Sequence, residues 1–402
     1  MASYTDLMKT PGVARIIAAQ LTARFPNGML SLAFLLHIER QTGSYGAAGL
    51  VLAATSIGQA IAGPLTSRFM GIWGMRRVIV ITIIICATAV SVVALVPMTI
   101  PLYMIVGFIS GLSTPPIQPA VRTIYPKMVN SRQLTPLFSL DATAQEVIWV
   151  VGPVVTTFVA TQIGTVWAIL LAVTFLVGGG IWFVVSPELG RVRIPRSKRA
   201  FGTVLRRPPV MLATIVGFLL VGACAAIEAG VVAVFGHGNA DSGIVLAIFS
   251  IGSIAGGLSF GRVPIGPWST ARRMLLVFVG TALALGAMNF WWLSLTLFIA
   301  GLGIAPALAV LFAIVSASVK FSDTAEAYGW VGTGQLIGAA LGSAAAGVLI
   351  DAYSPVGAFY AATAFAFVGF IVPVLARRWH PDLRGRDASP MPDTEPVPVQ
   401  PS

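Results

Sequence analysis

Two opposite charges lie inside long apolar stretches of the sequence, where they could bind a proton or a charged ligand. Arg24 lies in the apolar run 13–36 and Glu146 in the run 136–160. A charge in an apolar environment is costly, so such a residue is expected to have a partner or a function. The carboxylate could take up and release a proton, and the arginine could anchor a ligand or adjust the proton affinity of the carboxylate. The alternative is a permanent ion pair between the two.

Two more carboxylates lie in apolar runs. Asp141 lies nearer the start of its run, and we expect it to cap the helix or to pair with Arg122 or Arg132. Glu228 lies late in the run 210–235. It is either a second proton-binding or substrate-binding carboxylate or a residue at the outer mouth of the protein.

Uncharged polar and aromatic residues form the third group of candidates. Asn27 stands between Pro26 and Gly28, where a broken helix could direct backbone groups at a ligand. The others lie within apolar runs: Gln59, Gln118, Gln335, Trp149 and Trp330. Each glutamine is either a hydrogen bonder between helices or a substrate contact. Each tryptophan either faces a cavity or packs between helices.

The elements that hold these residues are predicted to be membrane-spanning helices. The chain is 56% hydrophobic and 10% charged, against about 25% charged residues in soluble domains. A spanning helix needs roughly 20 apolar residues. Twelve stretches qualify: 13–36, 47–67, 78–98, 101–121, 136–160, 165–186, 210–235, 242–261, 274–290, 291–317, 327–350 and 355–376.

The distribution of basic residues predicts the orientation of these spans. All but two of the 25 lysines and arginines lie before the first span, after the even-numbered spans or in the central loop. Basic loops stay on the cytoplasmic side of a membrane, so both termini are expected there. The net charge of +11 therefore reports membrane orientation, and we expect no nucleic-acid partner.

An internal repeat divides the chain into two copies of one unit. Residues 49–58 (GLVLAATSIG) return as residues 243–252 (GIVLAIFSIG), 194 positions later. Residues 108–112 return as 298–302, and Pro116 returns as Pro306, 190 positions later. A parallel repeat in an apolar chain is typical of secondary transporters.

The repeat and the charge pattern predict four parts. Residues 1–186 form a first six-helix bundle, and residues 187–209 form a basic cytoplasmic linker. Residues 210–378 form a second six-helix bundle, and the Pro-rich residues 379–402 form a disordered cytoplasmic tail.

With its twelve spans in two parallel copies and its basic central loop, the chain resembles the major facilitator superfamily over roughly residues 10–378. The family signature after helix 2, Gly-x-x-x-Asp-Arg-x-Gly-Arg-Arg, is partly retained: residues 63–68 read GPLTSR, and two arginines follow three residues late. The acidic position is Ser67. The basic residues to which the resemblance gives a cytoplasmic gating role are Arg68, Arg76, Arg77 and Arg262. Gly152-Pro153 resembles part of the family's antiporter signature in helix 5.

The resemblance implies an all-α membrane protein with twelve transmembrane helices. Helices 1, 4, 7 and 10 would line a central cavity, and helices 2, 5, 8 and 11 would form the interface between halves. It also implies alternating access, and we expect proton-coupled export of a small organic molecule such as a drug or metabolite. Uptake or sugar export by the same fold is the alternative, and a transport-dead receptor or scaffold is the non-transport alternative.

Other functional classes lack their sequence signatures. No phosphate-binding loop or paired catalytic constellation is visible, so we expect neither ATP drive nor an enzyme. Three isolated histidines and two isolated cysteines offer no metal-ligand spacing, and no cofactor is expected. The expected partners are a small-molecule substrate, protons and the lipid bilayer. We expect a monomer in the inner membrane of a bacterial cell.

Overall fold

The chain folds into a bundle of long α-helices. The computed structural model describes residues 4–197, 199–236, 240–261, 263–385 and 388–393. Its α-helices are α1 Tyr4–Lys9, α2 Val13–Arg24, α3 Leu30–Thr42, α4 Tyr45–Trp73, α5 Met75–Leu95, α6 Ile100–Leu112, α7 Ile117–Met128, α8 Ser131–Gln162, α9 Thr165–Val185, α10 Pro187–Arg191, α11 Pro208–Phe235, α12 Ala240–Phe260, α13 Ser269–Ala284, α14 Phe290–Ser318, α15 Phe321–Tyr353 and α16 Val356–Leu375. Short 3₁₀ helices lie at Phe25–Gly28, Thr203–Arg206 and Arg377–Trp379.

Each stretch predicted to span the membrane is mostly helical. Within the described residues, ten helical segments are long and apolar enough to cross a membrane, with Ile100–Met128 counted as one. The other two predicted spans are the first, which is broken into α2 and α3, and the ninth, which is the 16-residue α13. Helix α13 begins five residues earlier than predicted, because its first turn carries Arg272 and Arg273 and therefore lacks the apolar signal.

Two spans are interrupted at prolines. The first changes to a 3₁₀ turn at Phe25–Gly28, where Pro26 lacks the backbone N–H of a continuing helix. The fourth is interrupted between α6 and α7, because Pro115 and Pro116 disfavour helical geometry in the residues before them. The first break packs tightly: a Cβ atom on Gly28 would lie 2.2 Å from the Ile148 carbonyl oxygen of α8.

The two copies of the repeat meet along the helices that the resemblance implies. Helix α4 of the first copy packs against α15 of the second, and α8 packs against α12 and α14. Glycines permit close approach at these contacts. A Cβ atom on Gly63 of α4 would lie 3.0 Å from the Gly329 carbonyl oxygen of α15. The interface therefore runs through α4, α8, α12 and α15, which are spans 2, 5, 8 and 11, together with α14, which is span 10.

The linker between α10 and α11 covers one end of this interface, which we call the linker end. The side chain of Ile194 is buried, and Pro195 lies over Gly71 at the end of α4. Further along, Phe201 packs against Trp330 of α15, with 5.7 Å between ring centroids. The linker is thus wedged between the first and second copies of the repeat.

Part of the predicted disordered tail is instead docked at the linker end. Met391 donates its backbone N–H to the Val319 carbonyl (2.9 Å) and accepts from the Phe321 N–H (3.0 Å). Asp393 accepts from the Ser322 N–H (3.1 Å) and so caps α15. The prediction of disorder is wrong for these residues, because the short α14–α15 connection offers unpaired backbone groups that composition does not reveal. The rest of the tail, residues 394–402, lies outside the described residues.

Candidate functional site

A buried carboxylate, Asp141 on α8, is the centre of a polar cluster inside the first copy of the repeat. Its side chain is fully buried. One oxygen accepts from Gln20 Nε2 (3.1 Å) and from the Tyr125 hydroxyl (3.1 Å). The other accepts from Arg122 Nε (3.0 Å), and Arg24 Nη1 lies 3.6 Å from the carboxylate. The expected pairing of Asp141 with Arg122 is present, and α2, α7 and α8 are held together around one negative charge.

Arg24 does not pair with Glu146, contrary to one of the two alternatives from the sequence. Its Nη atoms donate to Gln20 Oε1 (2.7 Å) and Gln145 Oε1 (2.5 Å). Successive residues of an α-helix point about 100° apart. Gln145 therefore faces α2, and its neighbour Glu146 faces away from α2.

Glu146 lies instead at the interface between the two copies of the repeat. Its Oε1 accepts a hydrogen bond from Ser253 Oγ of α12 (2.9 Å). The same hydroxyl accepts from the Ala305 N–H of α14 (3.2 Å). The Glu146 side chain is 9% exposed, so this contact places a nearly water-free carboxyl between α8, α12 and α14.

Glu228 is the second carboxylate of this region. It is exposed on α11, with Cys224 one turn earlier on the same face. An electrostatic interaction with Glu146 indicates that the two carboxylates lie near each other in the space between the two copies of the repeat.

Trp149 lies on the face of α8 that borders this space. It is 49% exposed. At 100° per residue it lies about 40° from Gln145 and about 60° from Glu146 in projection. The tryptophan therefore points between α2 of the first copy and α12 of the second, one turn beyond the two polar residues. The cavity-facing role of Trp149 stays a prediction.

The remaining uncharged candidates are spread over several contacts. Gln118, with its amide oxygen turned towards Arg122, accepts from that guanidinium at 2.7 Å and belongs to the Asp141 cluster. Asn27 is exposed in the 3₁₀ turn. Gln59 is half-buried on α4, next to Ala60, whose carbonyl oxygen accepts from Thr333 of α15 (2.7 Å).

Gln335 and Trp330 lie away from the carboxylates. Gln335 packs against Gly217 of α11, with its Nε2 buried and without a hydrogen-bond partner. Trp330 contacts Phe201 of the linker. The linker, which no helical pattern predicts, thus lies against Trp330.

Only one of the four basic gating candidates reaches across the interface among the described residues. Arg68 Nη1 lies 2.9 Å from Glu326 Oε2 of α15, and the same guanidinium donates to the Arg199 carbonyl of the linker. Arg76 donates to the Ser186 carbonyl of its own copy (3.4 Å), and Arg77 is exposed. Arg262 lies outside the described residues.

The acidic partner of Arg68 comes from the opposite copy of the repeat. Ser67 replaces the acidic residue of the family signature, and its hydroxyl is buried without a partner. Glu326 supplies the charge instead, and its second oxygen accepts from the Gly202 N–H (2.8 Å). Asp323, one turn earlier on α15, accepts from Ser197 Oγ (2.5 Å) and lies 3.7 Å from Arg199.

Some residues of the site carry no sequence signal of their own. Gln20, Tyr125 and Ser253 were not identified, because single hydroxyls and amides are common in membrane helices. The repeat contains one usable signal: Ser253 follows the candidate Gln59 by the repeat offset of 194 residues. The repeat partner of a candidate polar residue is thus itself a site residue.

Comparison with known proteins agrees with this architecture. A sequence model described as the Major Facilitator Superfamily matches residues 16–296 and residues 231–401, which together cover most of the chain. The chain belongs to the Major Facilitator Superfamily. It is therefore a multi-pass membrane protein of a transporter family, and the predicted twelve-helix fold is confirmed.

Solved structures of the superfamily have the same fold. The proton:xylose symporter XylE has a TM-score of 0.73 at 12% identity, covering 94% of this chain and 97% of that one. A bacterial homologue of the iron transporter ferroportin has a TM-score of 0.73 at 11% identity, covering 91% and 99%. The human organic anion transporter MFSD10 has a TM-score of 0.69 at 15% identity, covering 91% and 100%.

One relative is similar at the level of sequence. The chain is 25% identical over 185 residues to macrolide efflux protein A of Streptococcus pyogenes. The match covers 45% of this chain and 44% of that protein, so the chain spans less than half the length of the relative it matches.

Proposed function

We propose that this superfamily member exports a small organic molecule by alternating access and is driven by protons. The observation that carries the proposal is the position of Glu146, which is buried between the two copies of the repeat and hydrogen-bonded across them to Ser253. A titratable group at the interface between two moving bodies links its protonation to their relative position.

The linkage follows from the cost of a charge in an apolar interface. A charged Glu146 needs the Ser253 hydroxyl or water, since an unpaired buried carboxylate is strongly unfavourable. A protonated Glu146 carries no net charge and tolerates loss of that contact. Proton binding therefore favours separation of α8 from α12, and proton release favours their contact.

The contacts at the linker end define the state of the transporter. Arg68–Glu326 and the wedged linker close that end, whereas Trp149 and Glu228 are exposed. The basic loops support a cytoplasmic position for the linker end, with both termini inside and the protein in an inner membrane. We infer that the structure is the outward-open state, in which an exporter releases its substrate and takes up a proton.

The direction of transport is supported by the sequence relative. The name of the Streptococcus protein states macrolide efflux, and the exposed Trp149 on the same helix as Glu146 suits a large amphipathic molecule. Likeness to a proton:xylose symporter concerns the fold and does not favour uptake.

Reconstitution in proteoliposomes with an imposed pH gradient tests the proposal. The compound panel includes macrolides, other amphipathic drugs and sugars, and flux is measured in both directions. Glu146→Gln is expected to abolish the response to the pH gradient while leaving substrate exchange without a gradient. Glu39→Gln on α3 is the matched control and is expected to retain gradient-driven flux.

Three results would contradict the proposal. Full gradient-driven flux in Glu146→Gln would remove the coupling assignment. Movement of sugars alone, or net inward transport with the proton gradient, would favour the uptake alternative. No flux of any compound, together with binding of one, would favour a receptor.

A further inference from the structure

Residues related by the internal repeat meet in pairs at the linker end. Arg122 on α7 and Phe312 on α14 are 190 positions apart, the offset that also relates Pro116 to Pro306. The guanidinium carbon of Arg122 lies 3.3 Å from the centroid of the Phe312 ring. Repeat-related residues can touch only where they lie on the axis that relates the two copies. This pair therefore marks that axis.

A second pair with the same offset adjoins the first. Phe138 on α8 and Tyr328 on α15 are also 190 positions apart, and their ring centroids are separated by 6.4 Å. Phe312 and Tyr328 are in edge contact (6.3 Å), and the Tyr328 hydroxyl donates to the Phe312 carbonyl (2.9 Å). We call the four residues Arg122, Phe138, Phe312 and Tyr328 the axial seal.

The axial seal excludes water and carries one charge. Arg122 is 2% exposed, Tyr328 3%, and the two phenylalanines are fully buried. Three of its members are aromatic, and the fourth is a guanidinium lying over a ring, which is a favourable cation–π geometry. The Arg122 guanidinium is fixed in this position, because its Nε also forms an ion pair with the Asp141 carboxylate (3.0 Å).

Building on the proposed alternating access, we propose that the axial seal is the barrier that closes the linker end between the two copies of the repeat, and that the Arg122–Phe312 contact holds it shut. When the two copies separate at the linker end, Arg122 stays with Asp141 and loses the Phe312 ring. Water then hydrates the guanidinium and offsets the lost contact, which water could not do for a fourth aromatic ring.

The inference predicts opposite changes at the two ends when the ring is removed. Ser316 lies one turn beyond Phe312 on α14 and is fully buried, so Ser316→Cys reports opening at the linker end. Trp149→Cys reports opening at the far end. Each reporter is placed in a background without the native Cys86 and Cys224, and the rate of maleimide labelling of the full-length protein in nanodiscs is measured.

Phe312→Leu removes the ring and keeps apolar volume, and Phe312→Tyr keeps the ring. In Phe312→Leu, we expect labelling at position 316 to rise several-fold and labelling at position 149 to fall. In Phe312→Tyr, both rates should remain within twofold of the parent. Unchanged rates in Phe312→Leu would overturn the proposal. A rise in labelling at both positions would also overturn it. That result would indicate general loosening of the helix packing, whereas the proposal requires that one end closes when the other opens.

Discussion

Asp141→Asn is expected to be the most destabilising conservative change in the first copy of the repeat. The aspartate is fully buried, accepts three hydrogen bonds at 3.0–3.1 Å and neutralises Arg122. Asparagine keeps the shape but leaves two buried arginines without a counter-charge, and its amide hydrogens face existing donors. Removing one partner of a buried ion pair costs about 3–5 kcal/mol, so we expect a loss of this size.

The free energy of unfolding can be measured in detergent micelles by titration with SDS, followed by circular dichroism. Arg122→Gln is measured alone and combined with Asp141→Asn. The combined loss should be smaller than the sum of the single losses by at least about 1 kcal/mol, because contacting residues are not additive. Asp351→Asn, at an exposed carboxylate near the end of α15, should change stability by less than about 0.5 kcal/mol.

Two results would refute this reasoning. A loss below about 1 kcal/mol for Asp141→Asn would mean that water or detergent reaches the cluster and that its burial is only apparent. Additive losses would mean that Asp141 and Arg122 do not share one network.

Three further predictions concern the linker end, the helix break and the docked tail. Glu326→Gln removes the ion pair to α4, so labelling of Ser316→Cys should rise; an unchanged rate would exclude this pair as a closing contact. Gly28→Ala places a methyl group 2.2 Å from a backbone oxygen of α8 and should cost about 1–3 kcal/mol in unfolding experiments, whereas Gly178→Ala, which meets nothing within 4 Å, should be nearly neutral. His380, at the start of the tail, lies with its Nε2 3.0 Å from Thr270 Oγ1 of α13. Burial there lowers the pKa of His380, so this anchor of the tail should be intact above the unfolded pKa of about 6.5 and weaken as the pH falls below it. Tryptic cleavage of the tail should accelerate accordingly, and an unchanged pH profile in His380→Gln would refute this role.

Much of the fold could be predicted from local patterns in the sequence. Apolar runs predicted the spans, and Pro26 predicted the break at Phe25–Gly28. The Asp141–Arg122 pair was predictable because both residues lie near the same end of neighbouring helices. Such features depend on residues close in sequence or on helices joined by a short loop.

The partners of Arg24 and Glu146 were not predictable in the same way. Both lie at similar positions along their spans, which suggested a pair, but Gln145 rather than Glu146 faces α2. Ser253 lies 107 residues from Glu146 in the chain. The rotation of each helix about its axis decides which of two adjacent side chains meets a partner. The position of a residue along its span gives its depth in the membrane but not this rotation.

The sequence by itself determined that this is a twelve-span protein of two parallel copies with one strongly basic side. Hydropathy, charge and repetition can be read from the sequence of each segment, and they do not depend on tertiary contacts. The tertiary structure alone decided that Arg122 and Phe312 lie on the axis between the copies, that Glu326 replaces the missing acid beside Arg68, and that the linker and tail close one end. These features depend on how two similar bundles are placed against each other, and the repeat predicts equivalent positions without predicting which of them touch.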